Sequence, residues 1–232
     1  VLTAKKKISA REAIPQSSSA DFFYAAQDWV KANTKIIGGA ALALAAVIIV
    51  GYLYLSGMAA DDLAANRELR KVQELYQQQQ YRLAISGDAG QGVMGLEEIT
   101  DKYSGTPTAE VAMIYLGNSY LYAGELDKAL AAFEDASPDT DMLRAAALAG
   151  EASVYEAKGN YAEAASLFEK AARSFNNDLL STDRFISAGR AYALAGDNEH
   201  ALEMLNMAND SKKQDYKQKA DRLKAQFGLD NE

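Results

Sequence analysis

The spacing of apolar and polar residues changes character along the chain, and each change marks a different kind of element. Residues 1–20, rich in Lys, Ser and Ala, carry no apolar period and predict a flexible tail. In SSSADFFYAAQDWVKAN, Phe22, Phe23, Ala26, Trp29 and Val30 fall on neighbouring faces of a helix that Ser19 or Asp21 can cap. Residues 21–34 are therefore expected to form an amphipathic helix at a membrane interface; the same aromatics would serve as a docking motif for a protein partner. From Ile36 to Leu55 the alternation stops, and the twenty residues IIGGAALALAAVIIVGYLYL are uncharged throughout. As a helix this run is about 30 Å long, the thickness of a bilayer's hydrocarbon core, so one transmembrane helix is expected over 35–57. Trp29 before the run and Tyr52 and Tyr54 at its far end suit the two headgroup levels. A cleaved signal peptide ordinarily has a shorter approach and a shorter apolar run.

A helical period returns beyond residue 58. Leu63, Leu69, Val72, Leu75, Tyr76, Leu83 and Ala84 predict one long helix that Gly87 and Gly90 break. Val93, Leu96, Ile99 and Tyr103 predict a second helix, with Pro107 at its exit. Over 109–210 three segments superimpose: YLGNSYLYAGELDKALAAFEDA, AGEASVYEAKGNYAEAASLFEKA and SAGRAYALAGDNEHALEMLNMA. Their glycines Gly124, Gly159 and Gly196 lie 35 and 37 residues apart. Four residues before each stands a tyrosine (Tyr120, Tyr155, Tyr192) and five after each an alanine (Ala129, Ala164, Ala201). Nine after comes a large apolar residue (Phe133, Phe168, Leu205), and twelve after another alanine (Ala136, Ala171, Ala208).

Such a period is the signature of a helical solenoid. Each glycine takes a positive φ at little cost and ends a first helix, and Asp127, Asn160 and Asp197 follow it as turn or cap residues. The alanines let paired helices close, the aromatics fill the wider layers, and stacking buries the stripe that no single hairpin can bury alone. Residues 58–108 then form a long helix and a degenerate first repeat, while 211–232 form a capping helix with Leu223 and Phe227 turned to the last repeat. The fold class expected is all-α.

These spacings resemble the tetratricopeptide repeat, most closely at Leu116, Gly117, Tyr120, Ala129, Phe133 and Ala136. The middle unit departs with Glu151–Ala152 in place of Leu-Gly, and the third with Leu205 in place of the aromatic. The resemblance implies a tetratricopeptide-like helical solenoid behind an N-terminal single transmembrane helix.

Charge adds an orientation. The formal net charge of −8 divides into +3 before the apolar run (six Lys and Arg, three acidic) and −11 after it (eighteen and twenty-nine). Lys31 and Lys35 abut the start of the run, whereas Asp61 and Asp62 follow its end, so the positive-inside bias places the N-terminus in the cytoplasm and the repeats outside. So acidic a domain repels a phosphate backbone, and no nucleic-acid partner is expected. Without cysteine and with His200 as its one histidine, the chain offers no thiolate chemistry and no His/Cys metal cluster. GDAGQG lacks the Lys-Ser/Thr of a phosphate loop. No cofactor, metal or catalytic residue is expected, and the chain reads as a scaffold and not an enzyme.

Anchor and repeats together resemble the ancillary Sec translocon subunits, a family of small bacterial inner-membrane proteins with a periplasmic tetratricopeptide domain. The resemblance implies protein partners among Sec translocon subunits or periplasmic chaperones. An accessory role in another inner-membrane complex and a homo- or hetero-oligomeric assembly stay open as alternatives. In the resembling repeats ligands meet the first helix of each unit, at positions that fall here on Ile114, Asn118, Tyr122, Ser153, Glu156 and Arg190. Within the span, Gly38, Gly39 and Ala43 are the small residues past which another membrane helix can approach.

Overall fold

The computed structural model describes residues 18–174, 178–209 and 213–229. Most of the tail predicted over 1–20 lies outside them, as do the side chains of Ser19 and Asp21 that were expected to cap the first helix. The chain divides into two compact units, Val1–Leu55 and Ser56–Glu232.

The first unit holds α1 (Ser18–Ala32) and the opening of α2 (Thr34–Gln77). The two helices part at Asn33. Its backbone N–H donates to the Trp29 and Val30 carbonyls at 3.0 and 3.3 Å, and its side-chain amide donates to Trp29 O at 2.8 Å. These bonds satisfy carbonyls that the end of a helix otherwise leaves open. α2 is the one helix among the described residues long and apolar enough to cross a membrane, and none of its apolar window is buried. Leu42, Val47 and Val50 all stand bare. An apolar surface of that extent is what a lipid-facing helix presents.

The second unit begins within α2, where Ala65, Leu69, Val72 and Leu75 are buried at helical spacing. It continues through α3 (Tyr81–Ser86), β1 (Gly87–Asp88), β2 (Val93–Met94), α4 (Leu96–Lys102), α5 (Pro107–Ala123) and α6 (Leu126–Asp135). Then follow α7 (Asp141–Ala157), α8 (Tyr161–Ser174), α9 (Asp178–Ala195), α10 (Asn198–Asn209) and α11 (Gln214–Phe227). Threonines start two of the first helices: the Thr106 hydroxyl accepts from Ala109 N at 3.2 Å, and the Thr140 hydroxyl from Leu143 N at 3.4 Å.

One kind of turn recurs in the helical hairpins of the described residues. At Gly124 the N–H donates to Leu121 O and the next N–H, of Glu125, to Tyr120 O; Gly159 and Asn160 bond Glu156 O and Tyr155 O, and Gly196 and Asp197 bond Ala193 O and Tyr192 O. This is the paired Schellman pattern around a residue of positive φ, 79–85° at the three glycines. The same pair recurs at Gln79 (φ 60°), where Gln79 N donates to Tyr76 O and Gln80 N to Leu75 O. The long helix expected through Ala84 therefore ends at Gln77, and α2 and α3 form a hairpin of their own. Five residues past Gln79 stands Ala84, fully buried like Ala129, Ala164 and Ala201 in the later units. A second difference follows at once. Val93, expected in a helix, lies in a two-stranded antiparallel ladder that pairs Gly87 with Met94 and Asp88 with Val93. The Asp88 carboxylate takes the Gly90 and Gln91 N–H groups at 2.9 and 3.2 Å, which ties the loop.

The core runs along the stack as three successive clusters. The first gathers Val72, Ala84, Leu96, Ile99, Tyr120, Phe133 and Val154; the second Ala152, Ala164, Phe168, Ala188 and Met204; the third Ile186, Leu205, Ala220 and Leu229. α7 contributes to the first two and α9 to the last two, so each hairpin leans on its sequence neighbours. This is solenoid-like stacking of an all-α unit. Leu223 and Phe227 of α11 pack partly buried against the third cluster.

Phe133 shows how closely the helices approach. A Cβ built on Gly117 would come within 2.8 Å of its ring, and one on Gly150 would overlap it. The ring is thus held between glycines of α5 and α7 and is 1% exposed. Gly189 stands to Leu205 as Gly117 does to Phe133.

Candidate functional site

Counted from the turns, Asn118, Ser153 and Arg190 occupy one position, six residues before Gly124, Gly159 and Gly196. All three are half-buried. Two are engaged by their own helix: the Asn118 side-chain amide donates to Ile114 O at 2.9 Å, and the Ser153 hydroxyl to Ala149 O at 2.8 Å. Arg190 reaches back from α9 to Glu156 of α7 at 2.8 Å. The structure therefore joins two of the expected contact residues to each other, as a bridge between hairpins. Ile114 sits in the core at 9% exposure and supports α5 from within, so its side chain has little surface to offer a ligand. Tyr122 stands 61% exposed. In the first unit, Gly38 and Gly39 have no neighbouring atom within 4 Å of a built Cβ, and Ala43 is exposed.

Tyr122 belongs to an aromatic chain that the sequence reading did not assemble. Its ring stacks on Tyr81 at 4.8 Å and 24°. Tyr81 meets the edge of Tyr76 at 5.4 Å, and Tyr76 that of Tyr115 at 5.0 Å. Burial first, and then the surrounding phenols of Tyr122, Tyr81 and Tyr115, push the Tyr76 hydroxyl up to about 12. The Tyr76 phenol therefore stays neutral across the physiological range. A spacing signal existed: Tyr81 stands two residues past Gln79, as Tyr161 stands two past Gly159.

Those tyrosines mark equivalent hollows where the turn of one hairpin meets the end of the next first helix. The first, about 450 Å³, is lined by Gln79, Gln80, Tyr81, Arg82, Leu83, Tyr122 and Ala123. The other, about 580 Å³, is lined by Tyr155, Gly159, Asn160, Tyr161, Ala162, Glu163 and Ala195. At the intervening seam the side chain just before Gly159 is Lys158, and its ammonium pairs with Asp127 at 2.7 Å. Where Ala123 and Ala195 take that place no such pair forms, and a shallow cleft is lined by aromatic faces and amides.

Elsewhere the polar groups brace the stack. The Tyr192 hydroxyl donates to Glu169 at 2.7 Å, and the Tyr120 hydroxyl donates to Glu97; both tyrosines stand four residues before a turn glycine. Burial and those carboxylates raise both phenols well above their ordinary range. Burial alone would raise Glu169, but the Tyr192 hydroxyl and the Arg173 guanidinium hold it below the ordinary carboxylate value. Among the described residues no three Asp, Glu or His side chains converge as a cation cage. The chain matched no family model, no curated protein and no solved structure.

Proposed function

We propose that this chain is a bilayer-anchored scaffold in which tetratricopeptide-type repeats hold protein partners on the extracytoplasmic side of the membrane. The observation that carries the reading is the joint presence, among the described residues, of four helical hairpins closed by one recurrent turn and a bare apolar helix of membrane length. Repeated hairpins present repeated side chains, and the line Asn118, Ser153, Arg190 with the tyrosine-lined hollows beside it suits an extended or helical segment of a partner. The clefts are open and shallow, which favours a polypeptide over a small metabolite. No chemistry is assigned to the chain; it acts by binding.

The basic flank before Ile36 and the acidic flank after Leu55 support a cytoplasmic N-terminus. The partner class, translocon subunits or periplasmic chaperones at a bacterial inner membrane, rests on the family resemblance alone. Photo-crosslinking tests it. A reactive residue placed at Asn118, Ser153 or Arg190 in intact membranes is expected to trap export or folding factors, and a probe on the exposed Lys219 to trap fewer. Equal yields from all four positions would remove this face from the interaction, and the absence of any export factor would remove the translocon assignment. If instead a membrane complex co-purifies in fixed ratio and is lost when the span is exchanged, the surface around Gly38, Gly39 and Ala43 carries the interaction.

A further inference from the structure

We propose that α1 lies flat in the headgroup layer of the bilayer, as a lipid-binding element separate from both the span and the repeats. This rests on the membrane reading above. At 100° per residue, over residues 22–31, Ala25, Trp29, Phe22, Ala26, Val30 and Phe23 fall within an arc of about 160°, and Gln27, Lys31, Tyr24 and Asp28 take the rest of the circumference. The apolar arc is uncovered: Phe22, Phe23 and Trp29 are 74, 75 and 61% exposed. Large aromatic side chains gathered on one side of a 15-residue helix need a partner surface.

Three features on this helix select lipid as that surface. Only Asn33 separates α1 from the apolar helix, so the aromatic face is tethered beside hydrocarbon at high effective concentration. At Asn33 the regular helix is interrupted, and the Asn33 amide and Thr34 hydroxyl take the Trp29 and Lys31 carbonyls at 2.8 and 3.4 Å, which supplies a joint at which α1 can leave the axis of the span. Lys31 and Lys35 at the junction supply ammonium groups for phosphates at the depth where a tryptophan ring is best accommodated. At 15 residues α1 is too short to cross a bilayer by itself. It fits along the surface.

Trp29 is the only tryptophan, so the unaltered full chain reports its own depth. The protein is reconstituted into phosphatidylcholine–phosphatidylglycerol vesicles containing lipids brominated either near the carbonyl or near the terminal methyl. Aqueous iodide is the third quencher. A second chain carries W29F and F22W. For a flat helix both chains are quenched most by the shallow bromines, and iodide quenches each several-fold less than it quenches free tryptophan amide. A helix standing along the membrane normal would carry the probe at position 22 about 10 Å farther into water than the one at 29, from 1.5 Å per residue. Iodide quenching at 22 with lipid quenching at 29 therefore overturns the proposal. Iodide quenching at both also overturns it and leaves the aromatic face to a protein partner. Flotation separates the two readings: a chain that fails to float with the vesicles defeats the membrane anchor itself, whereas one that floats with both probes in water defeats only the role of α1.

Discussion

Phe133 and its two glycines make the tightest demand in the repeats, because a rigid ring fills the space that a single methyl at Gly150 would need. Gly150→Ala is expected to cost about 1–3 kcal/mol by overpacking, and Phe133→Ala about 3–5 kcal/mol by leaving a cavity. Both are measured by urea titration of the unit Ser56–Glu232. Combined, the two substitutions should cost clearly less than their sum, since the smaller residue at 133 vacates the space that the new methyl takes. A second residue-scale expectation concerns pH. The carboxylate of Asp197 accepts the His200 N–H and lies 2.8 Å from its ring, and this contact raises the imidazole above its ordinary 6.5 while lowering Asp197 below 3.8. The contribution of the raised imidazole is complete below 6.5 and fades as pH climbs through the higher folded value; that of the carboxylate fades as pH falls through its lowered one. NMR titration should find His200 above 6.5, and Asp197→Asn should return it towards that value. At this scale much was legible from the sequence, because Tyr120, Phe133 and Phe168 recur at fixed distances from a glycine and are buried. Ile114 and the Glu156–Arg190 pair were not, since spacing names a helical face but not the depth of the neighbour packed against it.

At the scale of elements the turns decide the outcome. Glycines announced three of them, whereas the fourth hides in a run of glutamines, where Gln79 adopts a conformation that costs an ordinary residue about 1–2 kcal/mol. A periodicity argument passes straight through such a site: Tyr76 and Leu83, seven residues apart, keep a helical interval across it. The β-hairpin at Gly87–Met94 was hidden for a related reason, because two-residue strands are too short to show an alternation. Gln79→Gly is expected to stabilise the unit by about 0.5–1 kcal/mol, the relief of the left-handed strain less the added freedom of the unfolded chain. Gly124→Ala is expected to destabilise it by about 1 kcal/mol for the converse reason. A rise in the denaturation midpoint for the first and a fall for the second is the signature; a fall for both would mean that the Gln79 side chain contributes more than its backbone strain removes.

For the molecule as a whole, the apolar run was the plainest signal in the sequence, since twenty uncharged residues leave few alternatives. The tyrosine-lined hollows were the least legible, because they form only when residues from successive hairpins meet. Replacing Ala46 and Ile49 with arginine should cost about 2.5–3.5 kcal/mol each at the centre of a membrane helix. The doubly substituted chain is accordingly expected to be extracted by carbonate where the parent resists; retention of both in the membrane pellet would mean that something other than the span holds the protein there.

The three-part core has a mechanical consequence. Ile186, Leu205 and Leu229 connect to Val72 and Leu96 only by way of the second cluster, where Ala188 and Met204 pack with Phe168, so tension applied at the C-terminal side is borne first by α11 and the last hairpin's grip on α8. Under load such an array yields link by link, like a ratchet releasing one tooth at a time, and not in one rupture. A cargo pulling on the far end would peel α11 and α10 first and leave the segment built around Val72, Leu96 and Phe133 in place.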